Sequence, residues 1–288
     1  MMSSKARTRR AFGVWKGEKT DMFEELTLLQ GRLTEILAWF HGFCEENGLR
    51  YYMAYGTMLG AVRHGGFIPW DDDIDVAMPR PDYDRFIQIT MGRRLDRFTV
   101  ESLANGRRDW YYGYAKVYDT STTLIENKHP VLKRGIYLDV FPLDGAADGE
   151  EGFRRAAEEI SSLWHKRNHR KQLAGMLSVL SPRLLPSNAG VMLALDAAFR
   201  QFDYESSPMV GNLTEMSRKG MTAREIMPKS VFGTPRLYGF GDRSFYGVED
   251  PDTYLKNLYD DYMTPPPPGK RTGHLVRIDY DLNVPFIE

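Results

Sequence analysis

The chain has 288 residues, of which 42% are hydrophobic and 12% aromatic, and its formal net charge is −1. A chain of this length and composition can bury a substantial core, and its balanced charge argues against nucleic acid as a partner and against an acidic, disordered chain. The single cysteine excludes an internal disulfide framework, which fits a reducing compartment.

The first twenty residues are polar and basic and lack the apolar run of a signal peptide. No later stretch supplies the roughly twenty apolar residues that a membrane-spanning helix needs. We therefore expect residues 1–20 to form a basic flexible tail and the protein to be cytoplasmic.

The hydrophobic pattern then changes its period along the chain. Apolar residues recur at three- and four-residue steps from Phe23 to Phe43, which predicts a helix from Asp21 to a C-cap at Gly48. Further helices are predicted at 56–65, 81–89, 150–171, 188–202 and 252–262. Strands are predicted at 49–54, 74–78, 98–103, 110–118, 122–126 and 135–141, the last ended by a turn at PLDG.

This order of elements predicts an α/β (α+β) fold. Strands alternate with helices and then follow one another, which indicates a mixed β-sheet flanked by helices. Helices dominate from residue 150 onward. We place the sheet in residues 21–145, and a helical flank with a C-terminal motif, part of the same unit, in residues 146–288.

The stretch FIPWDDDIDV contains a dense acidic cluster, made of Asp71, Asp72, Asp73 and Asp75. A calcium loop of the EF-hand type begun at Asp71 would need Gly at its sixth position and Glu at its twelfth, where this chain has Val76 and Asp82. A solvated, helix-capping turn is the simpler alternative.

The strand pattern favours a metal site over a solvated turn. Alternate side chains of a strand share one face, so Asp73 and Asp75 point to the same side. Such carboxylates repel each other unless a cation lies between them, and hard oxygen ligands suit Mg²⁺ or Mn²⁺. Asp71 and Asp72 are expected nearer the surface.

Two other segments complete a catalytic pattern. Gly56 and Thr57 follow a strand and open a helix, where backbone N–H groups and a hydroxyl suit phosphate oxygens. Asp139 stands in the middle of an apolar strand, and its charge is costly there unless it shares the cation. A phosphate-binding turn, a D-x-D strand and a third strand-borne Asp form the pattern of nucleotidyltransferase-like folds. We predict Asp73, Asp75 and Asp139 as metal ligands and catalytic residues.

The block YGTMLGAVRHGGFIPWDDDIDVAMPRPDYDRF closely resembles the signature of the LicD-type phosphotransferase family. This family includes bacterial phosphocholine transferases and is related to fukutin-type proteins. GIYLDVFPLDG and YLKNLYDDYMTPPPPGKRTGH agree with the family as well. The chain departs at Asp260, where the family usually has Gly, and at Gly65, where a larger or basic residue is frequent.

The resemblance implies metal-dependent transfer of a substituted phosphate, such as phosphocholine, from a CDP-linked donor to a hydroxyl. The acceptor would be a cell-surface glycan, such as lipopolysaccharide or teichoic acid, or a lipid-linked precursor. Gly56 and Thr57 match the phosphate-binding turn of the superfamily, and Asp139 is the best placed carboxylate to accept the proton of the attacking hydroxyl. Mg²⁺ or Mn²⁺ would be the cofactor.

Several cations are secondary candidates for binding nucleotide or phosphate. Family members often carry a lysine in the setting of Lys116, although an edge-strand lysine facing water would look the same. Arg63 follows the Gly-Thr helix, and a guanidinium matches phosphate geometry. Arg271 and His274 follow the tetraproline, a stiff segment that can deliver them to a site.

Two patterns are interpreted more simply. His165 and His169 have the spacing of zinc ligands, but Lys166 stands where a zinc peptidase needs Glu, which favours a solvated basic helix face. This basic face is formed by Arg154, Arg155, Lys166, Arg167, Arg170 and Lys171. A weak peripheral contact between it and an anionic membrane is one hypothesis. Aromatic residues at 70, 110, 111, 112 and 114 could include a cage for a quaternary ammonium, but core packing is the commoner role and none is assigned.

Alternative functions remain open at this point. A nucleotidyltransferase or a D-x-D glycosyltransferase that uses a sugar nucleotide would have similar carboxylates. A non-catalytic nucleotide-binding protein could share the fold, although such a protein has no need to retain three facing carboxylates. Transfer of a substituted phosphate from a CDP donor releases CMP, whereas nucleotidyl transfer releases pyrophosphate.

Overall fold

The computed structural model describes residues 19–93, 95–105, 110, 112–126, 132–147, 155–166, 168, 189–214, 223–271 and 279–286. Its helices are α1 (Lys19–Asn47), α2 (Tyr55–His64), α3 (Arg80–Thr90), α4 (155–166), α5 (Ala189–Phe199), α6 (Lys229–Phe232) and α7 (Pro251–Tyr259). Its strands are β1 (Tyr52–Met53), β2 (Asp75–Pro79), β3 (Phe98–Glu101), β4 (Ala115–Glu126), β5 (Leu132–Gly145), β6 (Met209–Gly211), β7 (Ile226–Pro228), β8 (Arg236–Phe240), β9 (Arg243–Gly247) and β10 (Asp279–Asp281).

A mixed sheet forms the centre of the fold, in the order β1-β2-β5-β4-β10. Strands β2 and β5 run parallel, and the other pairs are antiparallel. Strand β3 also pairs with β4, and β6 continues from the end of β5 to β7. The predicted mixed α/β fold is therefore confirmed.

Helix α1 closes one face of the core. Leu33, Ile36, Leu37 and Phe40 repeat at the helical period and are fully buried. They belong to the same apolar cluster as Val140 of β5. The helix ends at Gly48, whose φ of 60° favours glycine, as the sequence predicts.

The C-terminal half adds strands as well as the predicted helices. Strand β6 pairs with the end of β5, and β10 pairs with β4. A separate hairpin, β8–β9, is linked to the end of α2 by a hydrogen bond from the Gly241 N–H to the Gly65 carbonyl. The sequence signal for these strands is weak because most of them are only a few residues long.

Charged pairs join α3 to the sheet and to the C-terminal half. Arg80 of α3 donates from Nε and Nη2 to the two carboxylate oxygens of Asp144 on β5, each at 2.6 Å. Both side chains are buried. Arg200, just after α5, donates to Asp84 of α3 at 2.6 and 2.8 Å. A bidentate pair of this kind is specific in its geometry.

Some predicted boundaries are wrong. Strand β1 covers only two of the six predicted residues. The separate strands predicted at 110–118 and 122–126 are one strand, β4, with an irregularity between Asp119 and Leu124. The PLDG segment is the end of β5 rather than a turn, because it pairs with β2 and β6.

Among the described residues, none of the helices has the length and apolar character needed to cross a membrane. The predicted tail lies largely outside the described residues, and α1 begins at Lys19.

Candidate active site

Three predicted site residues lie side by side on three neighbouring strands. The register places Asp75 of β2 opposite Asp139 of β5, and Asp139 opposite Lys116 of β4. Because paired residues of adjacent strands point to the same face, the two carboxylates and the ammonium form one row. Residues that are 64 and 23 positions apart in the chain are thus brought together.

Lys116 is buried at the end of this row. Its side chain is 2% exposed, and Nζ donates to Asp139 Oδ1 at 2.5 Å. The same ammonium lies 3.4 Å from the centre of the Tyr137 ring and 4.6 Å from that of Tyr112. The alternative of a water-facing edge lysine is therefore wrong, because Lys116 lies in an interior strand among aromatic rings.

The environment of Asp75 is rich in negative charge. Burial raises its pKa well above the ordinary value, and the carboxylates of Asp73, Asp139 and Asp71 raise it further. The ammonium of Lys116 acts in the opposite direction. One ammonium does not balance four carboxylates, so the site favours an additional cation.

The acidic turn before β2 offers further oxygen ligands. Asp71, Asp72 and Asp73 each place a carboxylate oxygen within 4.8 Å of the others, a spacing that fits a divalent cation. The expectation that Asp72 lies near the surface is wrong, because this residue is fully buried. Asp73 precedes β2 rather than lying in it, yet its charge acts on Asp75. These carboxylates fit Mg²⁺ or Mn²⁺ in charge and ligand chemistry.

The Gly-Thr turn is tied directly to the acidic residues. The Thr57 hydroxyl accepts a hydrogen bond from the backbone N–H of Asp75 at 2.9 Å. At Gly56, an added Cβ would lie 2.7 Å from Asp71 Oδ2, so glycine allows that carboxylate to approach the helix start. Tyr55 has a φ of 47°, and a left-handed residue followed by a helix can turn successive N–H groups toward an anion.

The other predicted cations lie at the opposite end of α2. Arg63 donates to the Tyr262 carbonyl and, at 2.9 Å, to His64 Nε2. Arg271 lies 5.0 Å above the Trp70 ring, next to the acidic turn. Burial lowers the pKa of Arg63, and the charge of Arg271 lowers it further.

His274 lies outside the described residues, so its predicted role stays a prediction. The same holds for His169 and for most of the predicted basic face. His165 is exposed on α4, and its Nδ1 lies 2.7 Å from the Ser161 carbonyl. Trp110, Tyr112 and Tyr114 form a buried aromatic cluster with Phe141, which agrees with core packing.

A polar network that was not predicted from the sequence lies behind the Gly-Thr turn. The Tyr55 hydroxyl donates to Glu225 Oε2 and accepts from Asn212 Nδ2, each at 2.7 Å. The Tyr55 N–H donates to the hydroxyl of Tyr254 at 3.1 Å. The sequence carries no local signal for these contacts, because the partners lie 157 to 199 residues away.

The mixed sheet, its row of carboxylates and the adjoining helix start define a nucleotidyltransferase-type domain. Residues 48–158 match the family described as LicD/FKTN/FKRP, nucleotidyltransferase domain. This match gives residues 48–158 a LicD-type nucleotidyltransferase domain, which confirms the resemblance seen in the sequence motifs.

Individual relatives match over very different lengths. The chain is 28% identical to the lipopolysaccharide cholinephosphotransferase LicD of Haemophilus influenzae, over 90% of this chain and 100% of that protein. It is 44% identical to the human ribitol 5-phosphate transferase FKRP, over 20% of this chain and 12% of that protein. Yeast mannosyltransferase regulator 4 is 36% identical over 17% of this chain and 4% of its own length.

Proposed function

We propose that this chain is a metal-dependent phosphotransferase that moves a substituted phosphate from a CDP-linked donor to a hydroxyl of a cell-surface glycan or its precursor. The bacterial relative matched along its whole length is by name a cholinephosphotransferase, and the human relative is by name a ribitol 5-phosphate transferase. Both names describe transferases of phosphate-containing groups, which is the enzyme class of this chain. Phosphocholine is accordingly the first donor group to test.

The observation that carries the proposal is the row of Asp75, Asp139 and Lys116 beside the Gly-Thr turn. Phosphoryl transfer depends on positioning and on neutralisation of charge more than on covalent chemistry. A row of rigid strand residues holds the charged groups in fixed positions. The hydrogen bond between Thr57 and the Asp75 backbone sets the distance from the turn to the carboxylates.

In the proposed reaction, the acceptor oxygen attacks the phosphorus that carries the substituent. A new P–O bond forms to the acceptor, the P–O bond to CMP breaks, and its electron pair leaves with CMP. We assign Asp139 to take the proton of the attacking hydroxyl. When bound, Mg²⁺ or Mn²⁺ held by Asp73, Asp75 and Asp139 would neutralise charge on the phosphate oxygens.

Lys116 has a defined place in this scheme. One of its three ammonium protons is donated to Asp139, which orients that carboxylate. We assign a contact with a donor phosphate to the same ammonium, as the family pattern suggests. We assign Gly56 and Thr57 to binding of the donor phosphates as well. Arg63, Arg271 and His274 are assigned to binding of the nucleotide or phosphate groups of the donor.

The C-terminal half is included in the proposed catalytic unit, since β6 and β10 extend the central sheet. A lipid-linked acceptor would bring the protein to the inner face of a membrane. Cosedimentation with anionic vesicles tests the basic face, and binding no stronger than that of a charge-matched soluble control would remove this part of the proposal.

A thermal-shift screen tests the donor class. CDP-choline, CDP-glycerol, CDP-ribitol and sugar nucleotides are each added with and without Mg²⁺. A ligand that binds the native state raises the melting temperature, and we expect CDP-linked donors to do so only with metal. Stabilisation by sugar nucleotides alone would favour a glycosyltransferase. In turnover assays CMP is the expected product, and pyrophosphate would indicate nucleotidyl transfer.

A further inference from the structure

We infer that Tyr55 is a positioning residue for the phosphate-binding turn, held in place by Tyr254, Asn212 and Glu225 of the C-terminal half. This network is defined by the hydrogen bonds that these four residues make to one another. The inference rests on the proposed function, because it assigns the network a role at the same turn. The hydrogen bonds that define the network join Tyr55 to Tyr254, Glu225 and Asn212, and not to the proposed metal ligands.

The backbone of Tyr55 has a conformation that needs support. Its φ of 47° lies in the left-handed region, which a bulky side chain populates rarely. Tyr55 is also the first residue of α2, directly before Gly56. Backbone conformations of this kind persist only where surrounding contacts hold them, and they concentrate at ligand-binding sites.

Contacts at both ends of Tyr55 supply this support. Its N–H donates to the hydroxyl of Tyr254, a buried residue of α7. Its own hydroxyl is fixed between Glu225 and Asn212. The side-chain oxygen of Asn212 in turn accepts from the N–H of Thr214 at 3.0 Å, which fixes the orientation of the Asn212 amide. The network is therefore connected to secondary structure on each side.

The neighbours of Tyr55 connect the network to the acidic site. The Ala54 N–H donates to the Asp75 carbonyl at 3.0 Å, and the Thr57 hydroxyl accepts from the Asp75 N–H at 2.9 Å. A rotation of the Tyr55 backbone would move both of these bonds. The network thus sets the position of the turn relative to Asp75. The geometry of the phosphate-binding turn and the acidic residues, which lie within residues 54–75, therefore depends on contacts with residues 212–254.

A general anchoring role is the alternative, and it makes a different prediction. An anchor stabilises the fold without changing how the folded protein binds phosphate. A positioning network changes the affinity of the folded protein for a phosphate ligand and the local protection of the turn. The two roles separate when the binding of a diphosphate and the melting temperature are measured on the same variants.

The test uses Tyr254→Phe and Tyr55→Phe in the full chain, with CDP and Mg²⁺ as the probe. Each variant keeps its ring and loses one hydroxyl. We expect the Kd of CDP to rise about tenfold in Tyr254→Phe, which loses one buried hydrogen bond, and at least as much in Tyr55→Phe, which loses two. Amide hydrogen exchange in residues 54–58 should become faster. Glu225→Gln keeps an acceptor for the Tyr55 hydroxyl and should bind CDP like the wild type.

Tyr238→Phe is the matched control, since its hydroxyl donates to the Val248 carbonyl at 2.8 Å rather than to a member of the network. Variants that melt at lower temperature but keep the wild-type Kd and exchange rates would overturn the inference. A wild-type chain that does not bind CDP with Mg²⁺ would contradict the proposed donor class instead. In that case the exchange rates of Tyr254→Phe decide the inference: faster exchange at the turn supports it, and unchanged exchange overturns it.

Discussion

Replacement of Lys116 by Met removes the only cation in the row of strand residues described above, while it keeps the length of the side chain. Asp139 would then lose the hydrogen bond and the adjacent positive charge of this ammonium. The neighbouring carboxylates would add to the repulsion, because Asp139 and Asp75 are paired across adjacent strands. We expect Lys116→Met to fold with markedly lower stability in the absence of metal.

The magnitude follows from the burial of the pair. Lys116 is 2% exposed and Asp139 14%, so water can screen the remaining carboxylate only partly. Breaking a buried pair from one side costs about 3–5 kcal/mol, and the partial exposure of Asp139 places this variant near the lower value. For a chain of this size, about 3 kcal/mol corresponds to a fall in Tm of roughly 6–12 °C.

The assay is urea unfolding with and without Mg²⁺, and Lys256→Met is the matched control. Lys256 pairs with Asp252 at 2.6 Å, but the two side chains are 64% and 56% exposed. An exposed pair contributes at most about 1 kcal/mol. Saturating Mg²⁺ should restore more stability to Lys116→Met than it adds to the wild type, because a bound cation replaces the positive charge that the substitution removes beside Asp139.

Two outcomes would refute this reasoning. A stability loss no larger than that of Lys256→Met would mean that the Lys116 ammonium does not stabilise Asp139. An equal effect of Mg²⁺ on the variant and the wild type would mean that Asp139 is not among the metal ligands.

Three further substitutions test other parts of the site and fold. Asp75→Asn should abolish turnover. Its stability without metal should equal or exceed that of the wild type, because the substitution removes a carboxylate that neighbouring carboxylates repel. Wild-type rates in saturating Mg²⁺, like those of the exposed control Asp242→Asn, would exclude Asp75 as a metal ligand. Gly56→Ala should keep its melting temperature, since the facing carboxylate can turn away, but weaken binding of CDP with Mg²⁺; an unchanged Kd would remove Gly56 from the site. Arg80→Met should lose about 3–5 kcal/mol in urea unfolding, and adding Asp144→Leu should recover much of it; a double variant as unstable as the single one would contradict the buried pair.

Local sequence signals predicted the core elements well. The helical period of α1, the C-cap at Gly48 and the proline in the first turn of α3 all appear as expected. These features depend on residues close in sequence. The mixed sheet followed from the alternation of elements, and the family motif from one continuous block.

The strand pairings that assemble the site could not be predicted in the same way. Nothing local indicates that Lys116 faces Asp139, because the pairing depends on the register of two long strands. The burial of Asp72 and the support of Tyr55 by Glu225 likewise depend on contacts between distant segments. Strand boundaries around Trp110 were misjudged because aromatic residues favour both strands and buried loops.

The most direct test of the proposed function is the binding of Mn²⁺, followed by electron paramagnetic resonance of the free ion in the presence of CDP-choline. We expect the wild-type chain and the exposed control Asp242→Asn to bind Mn²⁺, and Asp75→Asn and Asp139→Asn to lose most of this binding. Equal Mn²⁺ binding by all four proteins, or none by the wild type, would contradict a metal centre built on the carboxylates of β2 and β5.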